Sequence, residues 1–271
     1  MTKLTKIFIY FFVIVLPLCF SLDCYADCVK TIVFMRHGEK NEPVSYGQLN
    51  CQGQNRALAL PAVLAGKFGK PAAIYACNPS ITSDGGCDDA GSCCTHSRPY
   101  ATINPTAVSL AMQVLANYGS GDVGGPVSPD LGKVTCNGVV PATPMLNLPQ
   151  QPSAQGRCGV GSSDGDADIA REILRTNSYC GQTVYVTWEH TNIDLIVYNL
   201  FNILGLDARN KIPAWPYGPC LYSYCKPDEC SQAYNFDTLY IVRINQSSSP
   251  PTINISFDSE GLNNQSSVCP A

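Results

Sequence analysis

Short apolar segments alternate along this chain with amphipathic segments, and this alternation constrains the fold more than any other feature. Residues 30–35 and 183–188 are continuous runs rich in apolar and β-branched residues, which is typical of strands buried on both faces. Residues 54–68 and 104–118 carry apolar side chains at the spacing of a helix. Strands that alternate with helices predict an α/β fold, with an open, mostly parallel sheet and helices on both of its faces.

The same patterns, together with glycines and prolines at segment ends, predict further elements. They are strands over residues 72–76 and 238–244 and helices over residues 166–177 and 192–204. Residues 78–97 and 119–165 show no clear period, so we expect two loop insertions, the first of them rich in cysteine. No linker or repeat divides the chain, and residues 27–271 are therefore expected to form a single domain.

The N-terminal segment has the pattern of a signal peptide. Lys3 and Lys6 precede an apolar run of 12 residues, and Cys24 and Ala26 are small residues at the spacing that a signal peptidase requires. We expect residues 1–26 to be removed and the protein to be exported to a periplasm or the extracellular space. A retained anchor is the alternative. The run is shorter than the roughly 20 residues of a spanning helix, so no stable membrane insertion is expected after cleavage.

Cysteine content also favours export. Loss of Cys19 and Cys24 leaves 13 of the 15 cysteines, a number typical of an oxidising compartment, where disulfides would staple the long loops. Because 13 is odd, one thiol stays free or pairs between chains, or cleavage occurs elsewhere. Zinc is the alternative for two groups, Cys87, Cys93 and Cys94 in one and Cys220, Cys225 and Cys230 in the other. Neither group has a CxxC pair, so we expect disulfides and no metal there. No cofactor is expected either.

Charge excludes one class of function. Only 14% of the residues are charged, against roughly 25% in typical soluble domains. The formal net charge is -4 and there is no long basic run, whereas nucleic-acid binding needs a basic patch. We therefore expect no nucleic-acid partner.

Two of the three histidines directly follow predicted strands. His37 follows the first strand and His190 follows the strand over residues 183–188. Because the carboxyl ends of parallel strands form the ligand crevice of an open sheet, we expect both there, joined by Arg36 and Arg98. Guanidinium groups bind phosphate bidentately, and imidazole can act as a nucleophile. The set predicts a pocket for an anion that reacts with a histidine.

Four short motifs around these residues occur in a fixed order. They are Arg36-His37-Gly38 within residues 34–39, Gly53-Gln54-Asn55-Arg56-Ala57, Arg98 to Thr102 within residues 97–102, and Trp188-Glu189-His190. In order and spacing, over roughly residues 30–205, they resemble the motifs of the histidine phosphatase superfamily, which includes phosphoglycerate mutases and histidine acid phosphatases.

This resemblance implies a mechanism without a metal. His37 would become phosphohistidine, while Arg36, Arg98 and His190 would hold the phosphate oxygens. The implied activity is hydrolysis of a small phosphorylated substrate, a phosphoric monoester. Two alternatives stay open: a phosphomutase, which export disfavours because its metabolites are cytosolic, and a non-catalytic member that binds a phosphorylated ligand.

Protonation of the leaving group calls for a carboxylic acid near the pocket. The acid-phosphatase branch of the resembled family has an aspartate directly after the second histidine, where this chain has Thr191. Glu189 is the nearest carboxyl group, and we assign it as the candidate catalytic acid. Its alternative role is a structural carboxylate that pairs with an arginine.

Overall fold

The computed structural model describes residues 28–40, 49–77, 82–87, 93–95, 98–116, 163–213 and 236–270, and within them the side chains of all except 82–87, 93–95, 163–165 and 191. The predicted signal peptide, most of both predicted insertions and the group of Cys220, Cys225 and Cys230 lie outside these described residues. The possible zinc cluster of Cys87, Cys93 and Cys94 falls in residues 82–87 and 93–95, of which the backbone alone is described. Export and the single-domain organisation of residues 27–271 stay predictions.

Six strands form one sheet at the centre of the described part. They are β1 (Val29–Arg36), β2 (Ala73–Ala76), β5 (Val114–Leu115), β6 (Thr183–Trp188), β7 (Thr238–Asn245) and β8 (Thr252–Ser259), and β3 (Thr82–Cys87) pairs separately with β4 (Cys93–Thr95). The strand order is β5-β2-β6-β1-β7-β8. Strands β5, β2, β6 and β1 are parallel, whereas β7 and β8 add two antiparallel strands at one side. The expected open, mostly parallel sheet is confirmed.

Helices cover both faces of this sheet, as expected. They are α1 (Cys51–Phe68), α2 (Arg98–Ser109), α3 (Ser163–Arg175) and α4 (His190–Ile203). Successive residues of β1 point to opposite faces: Phe34 belongs to the apolar core under α3 and α4, and Met35 to the core under α1 and α2. The strand is therefore buried on both sides, which is why its sequence is a continuous apolar run.

The predicted helix over residues 104–118 is wrong in both of its bounds. Helix α2 begins at Arg98 and ends at Ser109, and the short strand β5 follows. Pro105 lies inside the helix instead of in its first turn. Pro99, the second helical residue, occupies the early position that proline favours. The correction matters because it makes Arg98 the first residue of a helix.

Two other segments contain strands where none was predicted. Residues 78–97 include the pair β3 and β4, and the tail after Asn245 includes β8. Strand β8 is the outermost strand of the sheet, and most of its residues are exposed or half-buried. Its side chains therefore lack the apolar pattern by which a buried strand is recognised.

Two disulfides link segments of the described part that are far apart in sequence. Cys28, just before β1, pairs with Cys180, and Cys51 at the start of α1 pairs with Cys269 in the tail. Both tie the ends of secondary-structure elements, and Cys77 after β2 is disulfide-bonded as well. No helix among the described residues is long and apolar enough to cross a membrane.

Candidate active site

His37 leaves the end of β1 as a fully buried side chain. Its Nδ1 lies 2.6 Å from the carbonyl oxygen of Gly38. Because a carbonyl only accepts hydrogen bonds, Nδ1 carries the proton, and in the neutral ring Nε2 keeps its lone pair. Burial lowers the pKa of His37 to about 3, outweighing the Glu189 carboxylate, which raises it. The ring is therefore neutral at neutral pH, with a nucleophilic nitrogen at Nε2.

The loop that carries His37 is held by close backbone contacts. The Gly38 N–H donates to the Thr102 hydroxyl of α2 at 2.8 Å. On the other side, a Cβ at Gly53 would collide with the backbone of Glu39, so only glycine allows α1 to approach this loop. Two of the motifs found in the sequence, those of Gly53 and Thr102, thus fix the position of the third.

Glu189 lies between the two histidines at the end of β6. Strands β1 and β6 are parallel neighbours, and their paired register places Arg36 beside Trp188, so His37 and Glu189 follow side by side. Glu189 Oε2 lies 3.3 Å from His37 Nε2, and Oε1 lies 2.6 Å from His190 Nδ1. A carboxylate only accepts hydrogen bonds, so His190 Nδ1–H donates to it. Burial lowers the pKa of His190.

Arg36 and Arg98 complete the cleft from two other elements. Arg98 Nη2 lies 3.8 Å from Glu189 Oε2, and the charges of both arginines lower the pKa of His37. Both arginines are buried. Arg98 and His190 are also the first residues of α2 and α4, and helix N-termini favour anions. The structure thus brings together all five residues that the sequence singled out.

A second buried cluster lies behind this cleft, centred on Arg56 of α1. Its guanidinium contacts Glu39 through Nε and Nη2 at 2.7–3.0 Å, Glu260 through Nη1 at 2.6 Å and Asp237 through Nη1 at 3.3 Å. Burial raises the pKa of Glu260 to about 8, against the attraction of Arg56. One cation therefore links the loop of His37 to the beginning of β7 and the end of β8.

Sequence reasoning missed several residues around the cleft. Phe236 packs against Arg36, with the guanidinium carbon 4.1 Å from the ring centroid. Asp166 of α3 accepts a hydrogen bond from Asn192 at 2.9 Å, and burial raises the pKa of Asp166 to about 7. Glu39 and Arg56 belonged to motifs and offered a signal. Phe236 and Asp237 offered none, because their contacts cross most of the chain.

The side chains around His37 suit the binding of an anion. Among the described residues, no group of three or more histidine, cysteine, aspartate and glutamate side chains is arranged to hold a metal ion. The positive charge of the cleft comes from two guanidinium groups beside a neutral imidazole. Such a site can bind a phosphate dianion and present Nε2 of His37 to the phosphorus.

No protein-family model matches the chain, and no curated protein does. Among solved structures, similarity is found to a protein described as the phosphohistidine phosphatase SixA from Nakamurella multipartitia (14% identity, TM-score 0.40, 85% of this chain and 95% of that chain covered). The chain is also similar to the phosphoserine phosphatase of Entamoeba histolytica, with 14% sequence identity and a TM-score of 0.40. The match covers 86% of this chain and 99% of that chain. A third similar structure is a mycobacterial glucosyl-3-phosphoglycerate phosphatase in complex with inorganic phosphate, with 14% sequence identity and a TM-score of 0.40. The match covers 84% of this chain and 95% of that chain. Each of these three solved structures is described as that of a phosphatase.

Proposed function

We propose that this protein is a phosphomonoesterase of the histidine phosphatase superfamily that works without a metal and carries the phosphoryl group on His37. One observation supports this most strongly. The Nε2 atom of a neutral, buried His37 stands in a cleft lined by His190, Arg36 and Arg98. A structural histidine has no need of two buried guanidinium groups whose charges oppose its protonation.

The reaction follows from the charges of this cleft. Arg36, Arg98 and His190 bind the oxygens of the substrate phosphate, and Nε2 of His37 attacks the phosphorus. The bond from phosphorus to the ester oxygen breaks, and that oxygen takes a proton from the solvent, which the attacking water of the next step returns. Water then attacks the phosphohistidine, the N–P bond breaks, and inorganic phosphate leaves. The arginines supply the charge stabilisation that magnesium supplies in kinases.

For Glu189 we propose a role in holding His190 instead of the expected role as the acid that protonates the leaving group. Reacting atoms start about 3–3.5 Å apart, and in an in-line displacement the leaving oxygen lies beyond the phosphorus, opposite the nucleophile. Glu189 Oε2, 3.3 Å from Nε2, is therefore beside the nucleophile. The other oxygen of Glu189, Oε1, accepts a hydrogen bond from His190 Nδ1. This hydrogen bond fixes the imidazole ring of His190 and directs its Nε2 away from Glu189. Of the two expected roles, catalytic acid and structural carboxylate, this geometry favours the structural one, with His190 at 2.6 Å as a partner in addition to Arg98 at 3.8 Å.

Export is part of the proposal. Disulfides at Cys28–Cys180 and Cys51–Cys269 support an oxidising compartment, where a small phosphorylated molecule would be the substrate. A phosphomutase would need a cytosolic sugar acid, and a non-catalytic binding protein would not need a neutral nucleophile. Both alternatives are therefore disfavoured.

Hydrolysis of p-nitrophenyl phosphate in excess EDTA tests the proposal. We expect turnover without added metal or acceptor, and we expect His37→Ala to abolish it. His96→Ala is the matched control, because His96 is the remaining histidine, lies outside the described residues and is not assigned to the cleft. Turnover that needs a divalent cation, or an acceptor alcohol, would contradict the proposed reaction.

A further inference from the structure

Phe236 contacts two adjacent residues of the proposed phosphate site. Its ring centroid lies 4.1 Å from the guanidinium carbon of Arg36 and 5.9 Å from the ring centroid of His37. Phe236 is only 5% exposed, so water screens this contact little. Phe236 lies two residues before β7, more than half of the chain away in sequence from both of its partners.

A ring in this position orients the guanidinium group. The cation is attracted to the face of the ring, and this attraction is strongest where both groups are desolvated. The guanidinium carbon lies over the ring, and the ring has no oxygen or nitrogen atom that could accept hydrogen bonds from the guanidinium N–H groups. Those N–H groups are the donors that bind phosphate oxygens bidentately. Phe236 therefore restricts Arg36 without competing for its hydrogen bonds.

The next residue, Asp237, fixes Phe236 in the fold. Its side chain accepts hydrogen bonds from the N–H groups of Leu262 at 2.5 Å and Gly261 at 3.1 Å, and from the hydroxyl of Ser259. Its backbone carbonyl accepts from the Glu260 N–H at 2.6 Å. The chain entering β7 is thus tied to the chain leaving β8.

Arg56 connects this anchor to the loop of His37. It contacts Asp237 at 3.3 Å and binds Glu39, two residues after His37, through two nitrogens. The ring of Phe236 and the nucleophile are therefore held in one frame that does not depend on bound phosphate.

We propose that Phe236 is a positioning residue that holds the Arg36 guanidinium ready to bind phosphate. This rests on the proposed function of the cleft, because it assumes that Arg36 binds the phosphate group. A preoriented arginine loses less freedom when the anion binds. The effect of Phe236 is therefore measurable as the affinity of the site for phosphate.

Phe236→Leu removes the ring face and keeps an apolar side chain. A buried cation–π contact contributes about 0.5–2 kcal/mol, so we expect the Kd for inorganic phosphate to rise about 2- to 30-fold. Phe236→Tyr keeps the ring and should stay within about threefold of the wild-type Kd. Phe257→Leu is the matched control, because Phe257 on β8 is 40% exposed and packs on Tyr240, away from the cleft.

Isothermal titration calorimetry of the full chain with inorganic phosphate, at fixed ionic strength, measures the Kd of each variant. A thermal melt of each variant separates loss of folding from loss of affinity. Where Phe236→Leu does not fold, Phe236→Met replaces it. In turnover assays of Phe236→Leu, kcat/KM should fall at least as far as the affinity for phosphate.

The outcomes separate this inference from the proposed reaction. Wild-type protein that binds phosphate but does not hydrolyse esters would contradict the reaction, while the Kd of the Phe236 variants still tests the inference. A Kd unchanged in folded Phe236→Leu, or raised equally in Phe257→Leu, would overturn it. Absence of phosphate binding by the wild type would overturn both.

Discussion

Replacing Glu189 by glutamine separates the two roles that a carboxyl group at this place can have. Glutamine keeps the shape of the side chain, and its oxygen can still accept the hydrogen bond that His190 Nδ1 donates at 2.6 Å. It has neither the negative charge nor an acidic proton. In Glu189→Gln the side chain can therefore still position His190, though less strongly, but it can no longer act as a general acid.

The expected magnitude follows from the single hydrogen bond that changes. A bond to a charged group contributes about 1.5–3 kcal/mol and a neutral one about 0.5–1.5 kcal/mol. Their difference, about 1–1.5 kcal/mol, lowers kcat about 5- to 15-fold. Because the change acts through His190, the loss is the same for every leaving group. A general acid would contribute about 10²- to 10⁴-fold, and mainly for leaving groups that are poor.

The assay compares p-nitrophenyl phosphate, whose leaving group needs little protonation, with an alkyl phosphate. For Glu189→Gln we expect losses in kcat that agree within about threefold between the two substrates. Glu172→Gln on α3 is the control for the same chemical change outside the cleft, and it should leave both rates unchanged. A loss more than tenfold larger on the alkyl phosphate would refute the positioning role and make Glu189 the proton donor.

Three further predictions concern the nucleophile, the buried arginine and the cysteines. Because burial lowers the pKa of His37 to about 3, its ring should stay neutral from pH 8 down to about pH 4.5 in NMR spectra of the three histidines; a transition near pH 6.5 would contradict the neutral nucleophile. Arg56→Ala should lower the free energy of unfolding by about 3–5 kcal/mol, because it leaves buried carboxylates unpaired, whereas loss of the exposed pair of Arg171 should cost at most about 1 kcal/mol; equal effects in denaturant titration would refute this. Thiol counts on denatured, non-reduced exported protein should find fewer than ten free cysteines, and ten or more would contradict export to an oxidising compartment.

Much of the cleft could be predicted because its residues lie next to well-marked strands. Strands β1 and β6 are buried on both faces, and their apolar sequences show it. Neighbouring parallel strands end at the same edge of the sheet, so the residues that follow them, His37 and Glu189, had to meet. Arg98 was also expected there, although its helix was placed six residues too late, because Pro105 resembled the start of a helix and Pro99 was overlooked.

The supporting frame could not be predicted, for physical reasons. Strand β8 is an exposed edge strand, so burial imposes no pattern on its sequence. The contacts of Arg56 with Asp237 and Glu260 span 181 and 204 residues along the chain. Nothing local distinguishes these carboxylates from solvated ones. Phe236 likewise contacts Arg36 only because β7, which follows it, pairs antiparallel with β1. The sequence of a strand alone does not determine which strand it pairs with.

Trapping the phosphoenzyme tests the central claim most directly. Protein mixed with radiolabelled substrate and quenched rapidly without acid should carry label on the peptide that contains His37. The bond should be labile to acid and stable to base, as a phosphoramidate is, and His37→Ala should abolish both labelling and turnover, since loss of a nucleophile costs several orders of magnitude. Label that survives acid, label on another residue, or a His37→Ala variant that keeps more than about a tenth of the activity, a barrier change below about 1.4 kcal/mol, would contradict a phosphohistidine mechanism.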